Sequence, residues 1–518
     1  MAGLIHLLIA LMLVSSVVCT DSFPHIFELS ARPWLYQLGL KYHKHMMLED
    51  VPDSEIKYYA DRGITHIYLL GVWSIGAYGL NHDRTDAGLL ADYKNILPDF
   101  TTADIIGSPF AVTKYTINPQ IGTTSDLKNF RDRLNSFGMK LILDFVPNHS
   151  AIDAPTATSN IDLYVHNTPS QSAPFDRSIM TENGVYYGKD KYGYVWTDTA
   201  QFNYFNADTV KARTADLFAV AALADGIRCD MAMLAVNEIF SGIWGSTVST
   251  RGYTQPSTEF WQTAIAAIKS RYPDTIFMAE QYWGMGDKLL SLGFDYVYDK
   301  EGLYDTLSGL SGGDESSYIW DIKNYVKNTL ASGFLDHGAH FIANHDQDRA
   351  VYHWGVDWRA DLAGMVTFTV PGLRFHWMGQ WEGHRNKLDI HLRRQKTEAA
   401  DEVCVSFYDM LLPILRDHKV FHAKDARIEY VEGSDNDAWK ILALRMEHGS
   451  EGVLVAINLS KESASASIPL PHVSGAGNVT VKELVSGTAY SRDADTLRNQ
   501  GLFVEVSSNY LQVFTYTV

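Results

Sequence analysis

Eight short apolar runs, most of them separated by segments of helical period, constrain the fold of this chain more than any other feature. Such alternation predicts a parallel sheet covered by helices, because parallel neighbours need a long crossover and a helix supplies it. From residue 33 onward the runs are WLYQLG (34–39), THIYLLGVW, KLILDFVPNH, GIRCDMA, TIFMAE, FDYVYD, HFIANHD and LRFHWMG. DSEIKYYADRG predicts a helix that ends at Gly63, and SDLKNFRDRLNSFG one capped by Ser125 and stopped by Gly138. Eight strand–helix units make an α/β fold, a (β/α)8 TIM barrel. About 400 residues is more than a bare barrel needs, so its loops must carry insertions.

The largest insertion is expected at 150–206, after the third strand, where Thr, Ser, Asn, Tyr and Pro accumulate without helical period. From residue 421 the pattern changes to strict alternation, as in EGVLVAINLS, GNVTVKEL and LFVEVSSNYLQVFTYTV. That predicts a closing antiparallel β domain over 421–518. The barrel is then assigned to 21–149 and 207–420, and residues 1–20 to a signal peptide. The apolar run Leu4–Val18 is short for a membrane span and ends in small residues, although no Lys or Arg precedes it. The expected location is extracellular, with no membrane insertion after cleavage; an N-terminal membrane anchor is the alternative.

Composition narrows the partners. A formal net charge of −18 argues against nucleic acid, and 46% hydrophobic with 12% aromatic residues describes a globular chain with a large core. Only three cysteines are present, and nothing local pairs Cys229 with Cys404. The sequons at Asn458 and Asn478 are glycan candidates in a glycoprotein, whereas the one at Asn148 is expected to be inaccessible.

Four runs end in carboxylates, at Asp144, Asp230, Glu280 and Asp346. The C-terminal ends of barrel strands face the catalytic mouth. With period two, Arg228 and Asp230 point one way and Cys229 the other, so Cys229 reads as a packed thiol. Retaining cleavage of a glycosidic bond needs an ionised nucleophilic carboxylate and a second carboxyl that protonates the leaving oxygen, about 5 Å apart. A neighbouring guanidinium keeps the first ionised, and apolar neighbours such as Phe277 and Met278 favour the protonated form of the second.

DFVPNH, GIRCD, FMAE and FIANHD resemble the four short motifs of the α-amylase family of retaining glycoside hydrolases, in that family's order. The likeness extends over roughly 33–518 and includes the insertion after the third strand and the terminal β domain. It implies Asp230 as nucleophile, Glu280 as general acid/base and Asp346 as transition-state stabiliser. It further implies that Arg228 orients Asp230 while Asp144, His149 and His345 hold the sugar at the cleavage point. Tyr78, Trp283, Trp73, Tyr282 and Trp381 are candidate stacking platforms.

The chain departs from the family pattern where Met233 and Leu234 replace a Lys-His pair on the leaving side. No cofactor is required by the chemistry. Asn148 nevertheless resembles the family's calcium-ligand asparagine, with Asp190 and Asp198 as candidate helpers for a structural calcium. GQWEGHRNKLDIHL (379–392) resembles a post-barrel stretch of maltosyltransferase-like members. The expected partner is an α-glucan or an oligosaccharide of it. Hydrolysis is the first expectation; glucanotransfer and non-catalytic carbohydrate binding are the alternatives.

Overall fold

The computed structural model describes residues 22–167, 178–181 and 183–518. Leu4–Val18 and Cys19, with the signal-peptide reading they carry, lie outside the described residues. Among the described residues no helix is long and apolar enough to cross a membrane.

Eight parallel strands close into a barrel: β1 (His25–Ser30), β2 (His66–Leu70), β3 (Lys140–Phe145), β4 (Gly226–Cys229), β5 (Ile276–Ala279), β6 (Tyr296–Tyr298), β7 (Gly338–Phe341) and β8 (Leu373–Trp377). Each pairs with its neighbours in sequence, and β1 closes the ring against both β2 and β8. The strands are apolar on both faces because side chains fill the interior and helices cover the outside. Leu141, Ile142 and Leu143 of β3 and Phe277, Met278 and Ala279 of β5 are fully buried. At the foot of β4 the side chains of the neighbouring strands close over Gly226, so that a Cβ there would lie 2.7 Å from Ile276 Cγ1 and 3.0 Å from Ile142 Cγ1.

Seven strands fall on the expected runs; the first does not. WLYQLG lies in the helix Ala31–Tyr42, whose buried residues Ala31, Trp34, Leu35 and Leu38 have helical spacing. The strand is HIFELS just before it, buried at all six positions, with Glu28 in mid-run. A second correction concerns the cap of the helix Thr124–Ser136. Thr123, not Ser125, accepts the Asp126 N–H, while the Asp126 carboxylate takes the Thr123 N–H in return. Gly138 does end that segment, at φ 78°.

Two excursions rise from the C-terminal ends of the strands. After β2, residues 71–123 carry a small sheet of Trp73–Ile75 and Val112–Ile117. After β3, His149–Ala151 pairs with Thr199–Gln201, and Gly188–Lys189 with Val195–Trp196 forms a hairpin.

The closing domain is an antiparallel sheet ordered Arg427–Tyr430, Ile441–His448, Glu451–Asn458, Leu511–Thr517, Asn478–Glu483, Ala489–Asp493, beside a pair formed by Ala464–Ile468 and Leu502–Val506. Lys323, from a barrel helix and almost fully buried, joins the two parts by donating to the carbonyls of Ala438 and Trp439. Asn458 is no glycan acceptor here. It is fully buried, and its amide donates to the carbonyls of Glu462, Val506 and Ser507. Asn478 is exposed at the start of its strand, and Asn148 is buried as expected.

Candidate active site

Register on adjacent strands assembles the centre. Arg228 of β4 lies opposite Asp144 of β3, and the ladder continues as Asp230 donates its N–H to Phe145 and Glu280 its own to Cys229. Asp144, Asp230 and Glu280 therefore surround one guanidinium that is completely shielded from solvent. Arg228 Nη1 lies 3.1 Å from both Asp144 Oδ1 and Asp230 Oδ1, and Nη2 lies 2.6 Å from Glu280 Oε2. Nε reaches the Tyr298 hydroxyl at 3.3 Å, and the Phe110 ring covers the guanidinium at 5.2 Å. A second donor fixes Asp144: the Tyr68 hydroxyl at 2.7 Å. Cys229 points away and is buried, and burial pushes its thiol well up.

Glu280 has differently occupied oxygens. Oε2 accepts from Arg228 and from the Met231 N–H at 2.9 Å, while Oε1 accepts from the Tyr282 hydroxyl at 3.1 Å. Met231 can present its N–H there because its backbone is left-handed, φ 39°. Burial and then the Glu280 charge push the Asp230 carboxyl well up against the pull of Arg228.

On the opposite wall His345 is clamped between Glu28 Oε1, 2.5 Å from Nδ1, and Asp346 Oδ2, 3.1 Å from Nε2. Burial alone would discharge the imidazole, but these two carboxylates raise it well above its usual value. Burial would raise Asp346, yet the imidazolium brings it down to about 2. Asp346 is thereby held ionised beside the cleft.

Other expected residues are distributed differently. His149 is buried next to the Trp196 ring, and burial followed by the Arg213 charge lowers it to about 3, so it is neutral. Trp283 follows the acid on a left-handed backbone, φ 67°, that the Glu301 carboxylate holds through the N–H groups of Trp283 and Gly284. Its ring meets Lys191 and Tyr192 from the insertion hairpin. Tyr78 is exposed on the excursion after β2, with its N–H on Asp153. Among the described residues no hydrogen bond or ring contact joins it to Asp144, Asp230, Glu280 or Asp346. Trp73 and Trp381 are core residues; the Trp73 indole donates to the Asp144 carbonyl. The stretch 379–392 lies along this rim, where Lys387 reaches the Asp346 carbonyl at 3.1 Å.

Sequence reasoning missed Glu28, Tyr68 and Tyr298. Glu28 carried the same signal as the other acids, an isolated carboxylate in an apolar run. A tyrosine within an apolar run carries no such signal, and only register turns the two hydroxyls toward Asp144 and Arg228.

The surroundings of Asn148 do not fit a cation. Its Oδ1 already accepts from Gln201 Nε2 at 2.9 Å. The Asp190 carboxylate is used by the hairpin turn, accepting from the N–H groups of Tyr192 and Tyr194. Asp198 packs against Gly79 of the other excursion. Among the described residues no group of three or more His, Cys, Asp or Glu side chains is arranged to hold a metal.

Comparison with known proteins gives a consistent family. The model of the α-amylase catalytic domain matches residues 110–421. Alpha-amylase MalA of Haloarcula japonica is 25% identical over 363 residues, 68% of this chain and 48% of that protein. An α-1,4-glucan:maltose-1-phosphate maltosyltransferase of Streptomyces coelicolor is 24% identical over 406 residues, 72% of this chain and 52% of that protein. The chain thus spans about half the length of these relatives. Among solved structures, the noncanonic maltogenic α-amylase AmyB of Thermotoga neapolitana superposes with a TM-score of 0.68 at 17% identity, covering 96% of this chain and 99% of its own.

Proposed function

The chain belongs to the α-amylase family, and from that premise we propose that it is a retaining glycosidase cleaving α-glucosidic bonds in α-glucan or its oligosaccharides. One observation carries the reading: a single buried guanidinium contacts the carboxylates of three strand ends, Asp144, Asp230 and Glu280.

The occupied oxygens assign the atoms. Arg228 holds Asp230 Oδ1, so Oδ2 attacks the anomeric carbon as the glycosidic C–O bond breaks. Oε2 of Glu280 faces two donors, so the transferable proton sits on Oε1 and passes to the leaving oxygen. Asp346, kept charged by His345, stabilises the positive charge that develops on the ring. In the second step Glu280 takes a proton from water, the hydroxide attacks the anomeric carbon, and Asp230 leaves with its electron pair. Products of maltoheptaose and soluble starch are expected first as the α-anomer in time-resolved NMR. Initial β-anomer would refute retention, and silence across a wider glycoside panel would favour a carbohydrate-binding protein.

Transfer is the second reading, in which a sugar hydroxyl replaces water. Met233 and Leu234 are buried and apolar on the leaving side, and one matched relative is by name a maltosyltransferase. Products longer than the substrate at high oligosaccharide concentration would favour it. Extracellular location is part of the proposal, supported by the apolar run Leu4–Val18.

Tyr282 holds Oε1 of Glu280. Tyr282→Phe is expected to lower kcat on maltoheptaose about tenfold with little change in KM, the effect of losing one hydrogen bond to the acid. An unchanged kcat would reduce Tyr282 to a wall aromatic.

A further inference from the structure

The backbone that carries His149 leaves the barrel at Val146-Pro147-Asn148, where three consecutive carbonyls turn into the protein interior. Side chains satisfy all three. Val146 O accepts from Arg213 Nη2 at 3.0 Å and from the Tyr115 hydroxyl at 3.2 Å. Pro147 O accepts from the Tyr204 hydroxyl at 2.8 Å. Asn148 O accepts from Gln201 Nε2 at 3.0 Å.

Gln201 does more than satisfy one carbonyl. Its Nε2 lies 3.0 Å from Asn148 O, 2.9 Å from Asn148 Oδ1 and 3.1 Å from Phe202 O, and the side chain is fully buried. Two of these oxygens are backbone carbonyls and can only accept, so the group facing them must be the NH2 and not the amide oxygen. A nitrogen with two hydrogens thus sits at the centre of three oxygens. Calcium would demand six to eight oxygens at roughly 2.3–2.6 Å, usually with carboxylates among them.

The local charge points the same way. The Arg213 guanidinium is buried against the rings of Phe202 and Phe145, at 4.4 and 4.8 Å, with Asp216 as its ion-pair partner at 2.6 Å. A fixed positive charge beside the cage opposes the entry of a divalent cation.

We propose that the Gln201 amide, with Arg213 beside it, takes the place of a divalent cation at the junction of β3 and the insertion, so that the chain keeps its fold and its His149 wall without calcium. Asn148, which resembles the family's calcium-ligand asparagine, has its side-chain oxygen occupied by a hydrogen-bond donor instead.

The test uses the full chain and reads melting temperature, which does not depend on the substrate assignment. Wild-type protein stripped with EDTA is expected to melt at the same temperature as protein in millimolar calcium. Gln201→Leu, which takes the side-chain donor away from the buried oxygens of Asn148 and Phe202, is expected to melt several degrees lower with or without calcium. Gln201→Glu puts a fourth oxygen in the cage, so it should lose stability in EDTA and recover part of it with calcium. A wild-type melting temperature that falls on chelation and returns with calcium would overturn the proposal. So would a Gln201→Leu variant that melts with the wild type.

Discussion

Asp230→Asn is expected to lower turnover of maltoheptaose by roughly 10⁴-fold or more while raising the melting temperature at neutral pH. The first effect follows from removing the attacking oxygen's charge. The second follows from the environment of that charge. Burial and Glu280 push the Asp230 carboxyl well up, so ionising it costs more in the folded than in the unfolded chain. A carboxyl raised in this way withdraws stability as pH climbs from its unfolded value, about 3.9, toward its folded one. Asparagine carries no such cost and keeps an oxygen for Arg228. Thermal melts at about pH 4 and about pH 7 should therefore show the variant gaining on the wild type as pH rises. The gain at neutral pH should be of the order of 1–3 °C. A variant that melts lower at neutral pH would mean that the attraction of Arg228 outweighs the repulsion of Glu280.

Arg228→Met should have the opposite sign. Its guanidinium is the shared partner of three buried carboxylates, and removing one side of a buried ion pair costs about 3–5 kcal/mol because the remaining charge is stranded. The loss, read from denaturant midpoints, should shrink in acid, where the stranded carboxyls take up protons. Activity should be absent at any pH at which the variant folds. Arg228→Lys tests geometry separately: an ammonium restores charge but not a planar fork that reaches Asp144, Asp230 and Glu280 together. It should recover much of the stability and little of the rate. An Arg228→Met variant as stable as wild type at neutral pH would show that burial of the three acids does not depend on this residue.

The legible parts of this molecule were those written in period and punctuation. β3, β4 and β5 and the run through Asp346 each pair an apolar stretch with a terminal acid, and the barrel's geometry does the rest. The entry to the barrel is less legible because the strand HIFELS runs directly into a helix that is itself rich in apolar residues. WLYQLG is the more aromatic part of it and drew the strand assignment. Tyr68 and Tyr298 were invisible for a different reason: a buried tyrosine on a strand has the same sequence signature whether its hydroxyl meets Arg228 or another ring. Gln201 alternates with Phe202, Asn203 and Tyr204, a pattern that says nothing of which oxygens its amide will meet. Asn458 shows the converse, a motif satisfied chemically at a position packing has closed.

β1 pairs with β2 close by in sequence and with β8 some 350 residues away, and it supplies the Glu28 that braces His345. A ribosome delivers these pieces at opposite ends of a long wait. Adding amino acids at roughly 5–20 per second, it leaves the first strand with one edge unpaired for tens of seconds before its last neighbour emerges. During that interval the exposed edge invites pairing with other chains. The imidazole that keeps Asp346 charged also lacks its brace until the ring shuts. The two walls of the cleft therefore mature at different times: the Arg228 cluster can form as soon as β3 to β5 associate, whereas the His345 side waits for closure. Partly synthesised or opened chains should therefore lack hydrolytic competence even where the Arg228 cluster is intact.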